Sequence, residues 1–302
     1  MKPFHTLLMI CTVAVWGFNF VATRVALEMF SPVQMAFARA VLTLAILLPW
    51  WKPFKRISWQ LFAAALAIGT GSFYLLYRAI SITESLTTVA IGTQLMPPLA
   101  AILALLFFKE RVSARKWVGI MIATTGAVYL AGANESSLSA AALGLTVVSV
   151  LLYSAGSIII GKAKSVSLWS MLAWISATSL LPLGLAAAAS GPLFPNPGAL
   201  QIQHWLAFLF TVVFSALIGQ AVLFHLYRNY PVANVAPWML LVPFFAGLSS
   251  ILVYKESLSA SLLLGGAVVI LGVWIQQSGG GGSAVPGGPI ETATEPEADR
   301  FK

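Results

Sequence analysis

Charge is scarce in this chain. Asp, Glu, Lys and Arg make up 9% of its 302 residues, against about a quarter in a soluble domain. A soluble fold is excluded on that ground, and a hydrophobic content of 59% with mean hydropathy +0.90 agrees. Acidic side chains are rarer still. Ahead of the C-terminal tail there are Glu28, Glu84, Glu110, Glu135 and Glu256. All of them fall at the ends of apolar runs or in loops. No carboxylate sits at mid-run to attract a cation or exchange protons, which disfavours proton-driven cation antiport. The lone Cys11 rules out an internal disulfide and a cysteine-based metal cluster. His5, His204 and His225 are not spaced to hold a metal. No nucleophile–base constellation occurs either, so neither an enzyme nor a cofactor is expected.

What the chain has in abundance is long apolar runs. About 18 such residues suffice to cross a bilayer as a helix. Runs of this kind lie at Phe4–Leu27, Pro32–Trp50, Trp59–Ala79, Glu84–Phe108 and Lys116–Ala131. Five more follow at Ala140–Gly161, Leu168–Ser190, Trp205–Tyr227, Val232–Tyr254 and Leu258–Gln276. The two-residue alternation of a membrane barrel is missing, so the expected fold is all-α with ten transmembrane helices. The first run is too long for a signal-peptide core and contains Asn19 and Arg24, which marks it as an uncleaved span. After Gln277 the chain turns to Gly, Pro and acidic residues, and a disordered tail is expected over 278–302. That tail carries a net charge of −2, leaving +10 on the rest. These charges sit in short loops, which argues against nucleic-acid binding.

The sequence repeats itself. "FFKERVSARKWVGIMIATTG", starting at Phe107, returns from Val253 as "VYKESLSASLLLGGAVVILG". Both copies keep Lys-Glu, Ser-Ala and two glycines seven residues apart, but Arg111, Arg115 and Lys116 become Ser257, Ser261 and Leu262. With the N-terminus in the cytoplasm, Lys52, Lys55, Arg56, Lys109, Arg111, Arg115, Lys116, Lys162, Lys164 and Arg228 are all inside. Arg24, Arg78 and Lys255 alone lie outside. This is the bias that orients membrane proteins. Five crossings separate the two motifs, so they face opposite compartments, and the second has lost its basic residues accordingly. The spacing predicts two inverted five-helix repeats, residues 1–132 and 133–277, with both termini cytoplasmic. Pro97 and Pro243 precede their motifs by the same interval, and "LYR" ends the third and eighth runs. Inverted repeats are associated with alternating access around a central site.

These stretches carry a resemblance. "VWGFNFVATRVAL", "ARAV", "FFKERVSARKWVGIMIATTGAVYLAG" and "YKESLSASLLLGGAVVILGVWI" are similar, in order and duplicated, to the EamA-type branch of the drug/metabolite transporter superfamily. The resemblance covers everything before the tail. It implies a ten-helix inner-membrane carrier, usually an exporter of amino acids, other metabolites or drugs, in which helices five and ten brace the bundle. The aromatic content further resembles the YddG-type exporters of aromatic amino acids.

Several residues are candidates for a binding site. Arg39 lies well inside the second run, where an ionised group costs at least about 2.5 kcal/mol unless paired or solvated. Its planar donor fork suits a substrate carboxylate; capping backbone carbonyls is the structural alternative. Asn19, Gln94, Ser157 and Gln220 either line a cavity or bond to a neighbouring helix. Trp16, Tyr74, Tyr77, Tyr153 and Trp238 form a π-rich lining or ordinary core; Tyr74 and Tyr77, one turn apart, are placed on one face. Pro97 and Pro243 interrupt helix hydrogen bonding in matching positions, a pointer to a central site and its gating. His225 is a candidate for proton coupling. His5 and His204 are expected at the membrane interface. Gly156–Ala163, "GSIIIGKA", has phosphate-loop spacing but lacks the following Ser/Thr and lies inside a run.

The expected function is a secondary carrier exporting small metabolites, amino acids foremost, as a monomer or homodimer in the inner membrane. The alternatives are a drug or organic-cation exporter and, in another class, a membrane sensor or assembly partner without flux.

Overall fold

A computed structural model describes residues 1–51, 59–83, 89, 92–109, 112–132, 139–163, 166–194, 201–254 and 260–278. The acidic residues expected at span ends other than Glu28, several basic loop residues (Arg111 and Lys255 among them) and the tail beyond Ser278 lie outside these.

The described chain is built from helices. We label them α1 (Pro3–Leu27), α2 (Pro32–Leu47), α3 (Trp59–Ile82), α4 (Met96–Phe108) and α5 (Ala114–Gly132). The second set is α6 (Ala140–Lys162), α7 (Leu168–Ser190), α8 (Ile202–Asn229), α9 (Val242–Tyr254) and α10 (Ala260–Ser278). Seven described stretches, including Val232–Ser249 at the head of α9, are long and apolar enough to span a bilayer. Met96–Phe107 and Leu263–Gln276 are shorter apolar helices. The described residues therefore meet that criterion seven times rather than the ten expected.

Local chemistry starts and stops these helices. Ser31 and Gln34 form a reciprocal capping box ahead of α2, with Pro32 in the first turn, where its missing N–H costs nothing. Ser139 and Ser167 cap α6 and α7 through their hydroxyl oxygens. Lys109 ends α4 with φ of 53°, a left-handed conformation uncommon outside glycine. Inside the apolar helices, Thr12, Thr146, Ser176 and Ser179 donate to the carbonyl four residues back. This satisfies their hydroxyls without a partner helix. "GSIIIGKA" is helical through Lys162, so its amides are committed to α6.

Two helices change pitch at mid-length. Ala67–Ser72 in α3 and Thr211–Gly219 in α8 are π-helical. The third and eighth runs, already matched through "LYR", thus share an irregularity as well. Pro97 and Pro243 do not kink continuous helices; each occupies the first turn of a new one. The chain turns at Gln94 and Leu95 ahead of α4, while ahead of α9 Ala236–Leu241 is a 3-10 helix.

Helix contacts map onto themselves when each helix is replaced by the one five later. α5 packs on α10 and α2 on α7. The α1–α8 contact has its counterpart in α6–α3, and α1–α9 in α6–α4. This is a two-repeat fold. At the α5–α10 contact, glycines let backbones approach closely, as membrane helix pairs require. A Cβ on Gly119 would lie 2.6 Å from that of Gln276, and one on Gly126 2.8 Å from Val268. Gln276 also donates to the Ala233 carbonyl, and Lys116 Nζ donates to Asn234 Oδ1 at 2.6 Å. The α5–α10 pair thereby anchors the segment leading into α9.

Candidate functional site

Between the two repeats lies a chamber of about 860 Å³ including its open mouth. α1 supplies Trp16, Asn19, Phe20 and Thr23, the i, i+3, i+4, i+7 set of one helix face. Ser72, Phe73, Leu76 and Ile80 come from α3, and Ser149, Val150 and Tyr153 from α6. α2 contributes Arg39, and α8 contributes Ser215 and Gln220. The helix breaks ahead of α4 and α9 bring Thr93, Gln94 and Met239 to the wall.

Arg39 dominates the electrostatics. It is 6% exposed, its Nη1 donates to Tyr77 Oη at 3.1 Å, and its guanidinium carbon lies 3.5 Å from the centroid of the Phe73 ring. No carboxylate faces it among the described residues; Glu28, the one acid described, sits 3.3 Å from His204 Nε2. A buried cation at mid-helix costs about 2.5–3.5 kcal/mol even by the mildest scale. One hydrogen bond and one aromatic face offset that only in part. Among the described residues, the charge of Arg39 is thus only partly offset.

Its walls are mostly apolar and aromatic. Phe73 and Tyr153 meet edge to face at 6.1 Å, and Phe73 stacks with Tyr77 at 6.3 Å. Trp16 Nε1 donates to the Ser215 carbonyl at 3.4 Å, in the π-helical stretch of α8. Gly219 makes room for that indole, since a Cβ there would lie 2.7 Å from Trp16 Nε1. Ser149 Oγ donates to the Ser72 carbonyl at 2.8 Å and closes the α3–α6 wall.

The structure sorts the sequence candidates. Trp16, Asn19, Arg39, Gln94, Tyr153 and Gln220 line the chamber. Tyr77 stands behind Arg39 and orients it. Tyr74 does not share that face: it is 36% exposed against 3% for Tyr77. Three residues on a helix leave a 60° difference in direction, and here that separates the outer surface from the interior. Ser157 is fully buried one turn beyond Tyr153, off the chamber wall. Trp238 packs against the core with its Nε1 buried, and its neighbour Met239 reaches the chamber instead. The 3-10 winding of Ala236–Leu241 turns about 120° per residue, which shifts the phase an α-helix would give.

His225 is also away from the chamber. Its ring packs at 5.3 Å against His5, whose Nδ1 lies 2.8 Å from Tyr230 Oη. His204, in the first turn of α8, is buried, held between Glu28 and the backbone N–H of Gln201. The most consequential residue the sequence did not single out as a wall of the site is Phe73. A cation at Arg39 with an aromatic residue beneath was foreseeable only once α2 and α3 were known to touch.

The family profile described as EamA-like transporter matches the chain twice, over residues 4–132 and 140–276. The chain belongs to the EamA-like transporter family. Among curated relatives, a probable amino-acid metabolite efflux pump of Escherichia coli is 24% identical over 281 residues, covering 90% of this chain and 94% of its own length. A protein of the same description from Salmonella typhimurium is 23% identical over the same span. An uncharacterized transporter of Archaeoglobus fulgidus is 23% identical, covering 87% of this chain and 95% of its own. One crystal structure aligns with a TM-score of 0.77 at 14% identity over 91% of this chain and 96% of its own, which establishes the fold alone. This EamA-like protein is a multi-pass membrane transporter.

Proposed function

We propose that this transporter exports small carboxylate-bearing metabolites, amino acids foremost and aromatic ones among them, from the cytoplasm across the inner membrane. Ten spans arranged as two inverted repeats, residues 1–132 and 133–277, would rock about the chamber, with both termini cytoplasmic. One observation carries the reading: a buried Arg39 with no carboxylate opposite it among the described residues, at the wall of a mostly apolar chamber. Arg39 meets the substrate carboxylate, Asn19, Gln94 and Gln220 orient it, and Trp16, Phe73 and Tyr153 hold its side chain. The breaks at Pro97 and Pro243 serve as hinges. The printed descriptions of the enterobacterial relatives support an amino-acid-related cargo.

Counterflow in proteoliposomes, using labelled aromatic and aliphatic amino acids beside lipophilic cations, tests this. Exchange of a carboxylate-bearing compound that is lost in Arg39→Gln supports it. Exchange of the cations alone, indifferent to Arg39, transfers the assignment to an organic-cation exporter.

A further inference from the structure

A second, smaller cavity of about 320 Å³ with its mouth lies among α2, α3, α7 and α8, and shares Arg39, Phe73 and Gln220 with the chamber. It has room for one or two water-sized occupants. Thr43, one turn beyond Arg39 on the same face of α2, lines it. The residue is 5% exposed, and its Oγ1 is buried with no hydrogen-bond partner. Such a group is uncommon in a folded chain and asks for an occupant.

The other polar groups of this cavity narrow what that occupant is. Ser176 and Ser179 direct their hydroxyl hydrogens to the Leu172 and Ile175 carbonyls at 3.1 and 2.7 Å. The available donors are therefore the Arg39 guanidinium, which makes one hydrogen bond from five N–H groups, and the Thr43 hydroxyl; the Gln220 side chain is hydrogen-bonded to Tyr153. The rest of the lining is alanine, glycine, leucine, isoleucine and the Phe73 ring. Donors converging on a space this small, around a cation with no acid beside it among the described residues, suit a monatomic anion better than water.

We propose that the smaller cavity binds a chloride-sized inorganic anion between Arg39 and Thr43, neutralising the guanidinium while the chamber holds no carboxylate. A carboxylate arriving on the chamber side competes for the same cation, because two anions on one guanidinium repel. Chloride then lowers apparent substrate affinity and leaves as substrate binds. The site itself stands on geometry; the competition rests on the carboxylate reading of the chamber.

The test is thermal unfolding of the purified full-length protein in detergent. Sodium chloride is titrated against sodium isethionate, whose anion is too large for the cavity, at constant ionic strength. The wild type is expected to gain Tm saturably with chloride. Thr43→Val, which removes the hydroxyl and keeps the side-chain shape, should raise the half-saturating chloride concentration at least about threefold. Arg39→Gln should abolish the response. Equal Tm in both salts, or an unchanged saturation curve in Thr43→Val, overturns the proposal. Counterflow that depends on Arg39 without any chloride response removes the anion site and leaves the transport reading intact. Saturable chloride binding that no carboxylate displaces keeps the site and removes the competition.

Discussion

Arg39 and Ile175 occupy equivalent places in the two repeats. Each is the eighth residue after the serine that caps its helix, Ser31 for α2 and Ser167 for α7, and the two helices pack on each other. The frame around them is nearly symmetric: Tyr77 and Tyr227 are both buried, and Gly69 and Gly219 lie in the π-helical stretches of α3 and α8. The chemistry is not. One corner has a cation on an aromatic ring; the other has an isoleucine, whose backbone carbonyl accepts from Ser179. A duplicated scaffold supplies the geometry of a central chamber, and a single charged substitution on one side gives that chamber polarity.

The largest effect should come from making the corners alike. Arg39→Gln removes a charge-assisted bond worth about 1.5–3 kcal/mol, so carboxylate exchange in proteoliposomes should fall by about ten- to a hundredfold. Undiminished exchange would mean that the aliphatic corner suffices and the asymmetry is incidental. Next comes the pair of glycines. A Cβ at Gly69 would sit 2.5 Å from the Ile175 carbonyl oxygen, a backbone atom that cannot swing away. Gly69→Ala should therefore cost about 1–3 kcal/mol, read as a lower Tm. At Gly219 the obstacle is the Trp16 indole, which can tilt into the chamber, so Gly219→Ala should lose less stability while changing the rate of exchange. Equal losses of Tm would show that the indole is as fixed as the backbone.

A smaller contrast is expected between the tyrosines. Tyr77→Phe deletes the 3.1 Å bond that orients Arg39 and should raise KM by about two- to tenfold. Tyr227→Phe, packed on Gly161 away from the chamber, should leave KM alone; matching shifts would dissolve the distinction. The smallest change is Trp16→Phe. Its 3.4 Å bond to the Ser215 carbonyl is long, and its loss should cost under about 1 kcal/mol, with stability measured in the same detergent.

How much of this was legible in the residues follows from where each signal arises. Trp16 and Asn19 were recognisable as chamber candidates because they stand out within a uniformly apolar run, and the helical face they define extends to Phe20 and Thr23. Arg39 was visible because a charge in such a run is costly. Tyr74 was misplaced because of what surrounds a membrane helix. Lipid and protein core are equally apolar, so hydrophobicity does not say which side of a membrane helix faces inward. Pitch compounds the difficulty. The π-helical turns of α3 and α8 and the 3-10 turn before α9 shift the phase of every residue after them, and no residue type announces them. Thr43 gave no signal at all, since a threonine in a membrane helix ordinarily bonds to its own backbone.

Hydropathy and self-similarity, both properties of the linear chain, determined that this protein lives in a bilayer and is built from a duplicated unit. Packing decided the rest: which faces meet, that Arg39 rests on Phe73 beside Tyr77, and that two cavities share its guanidinium. Those outcomes depend on distances between residues remote in sequence, fixed by close helix contacts at glycines and by local changes in pitch.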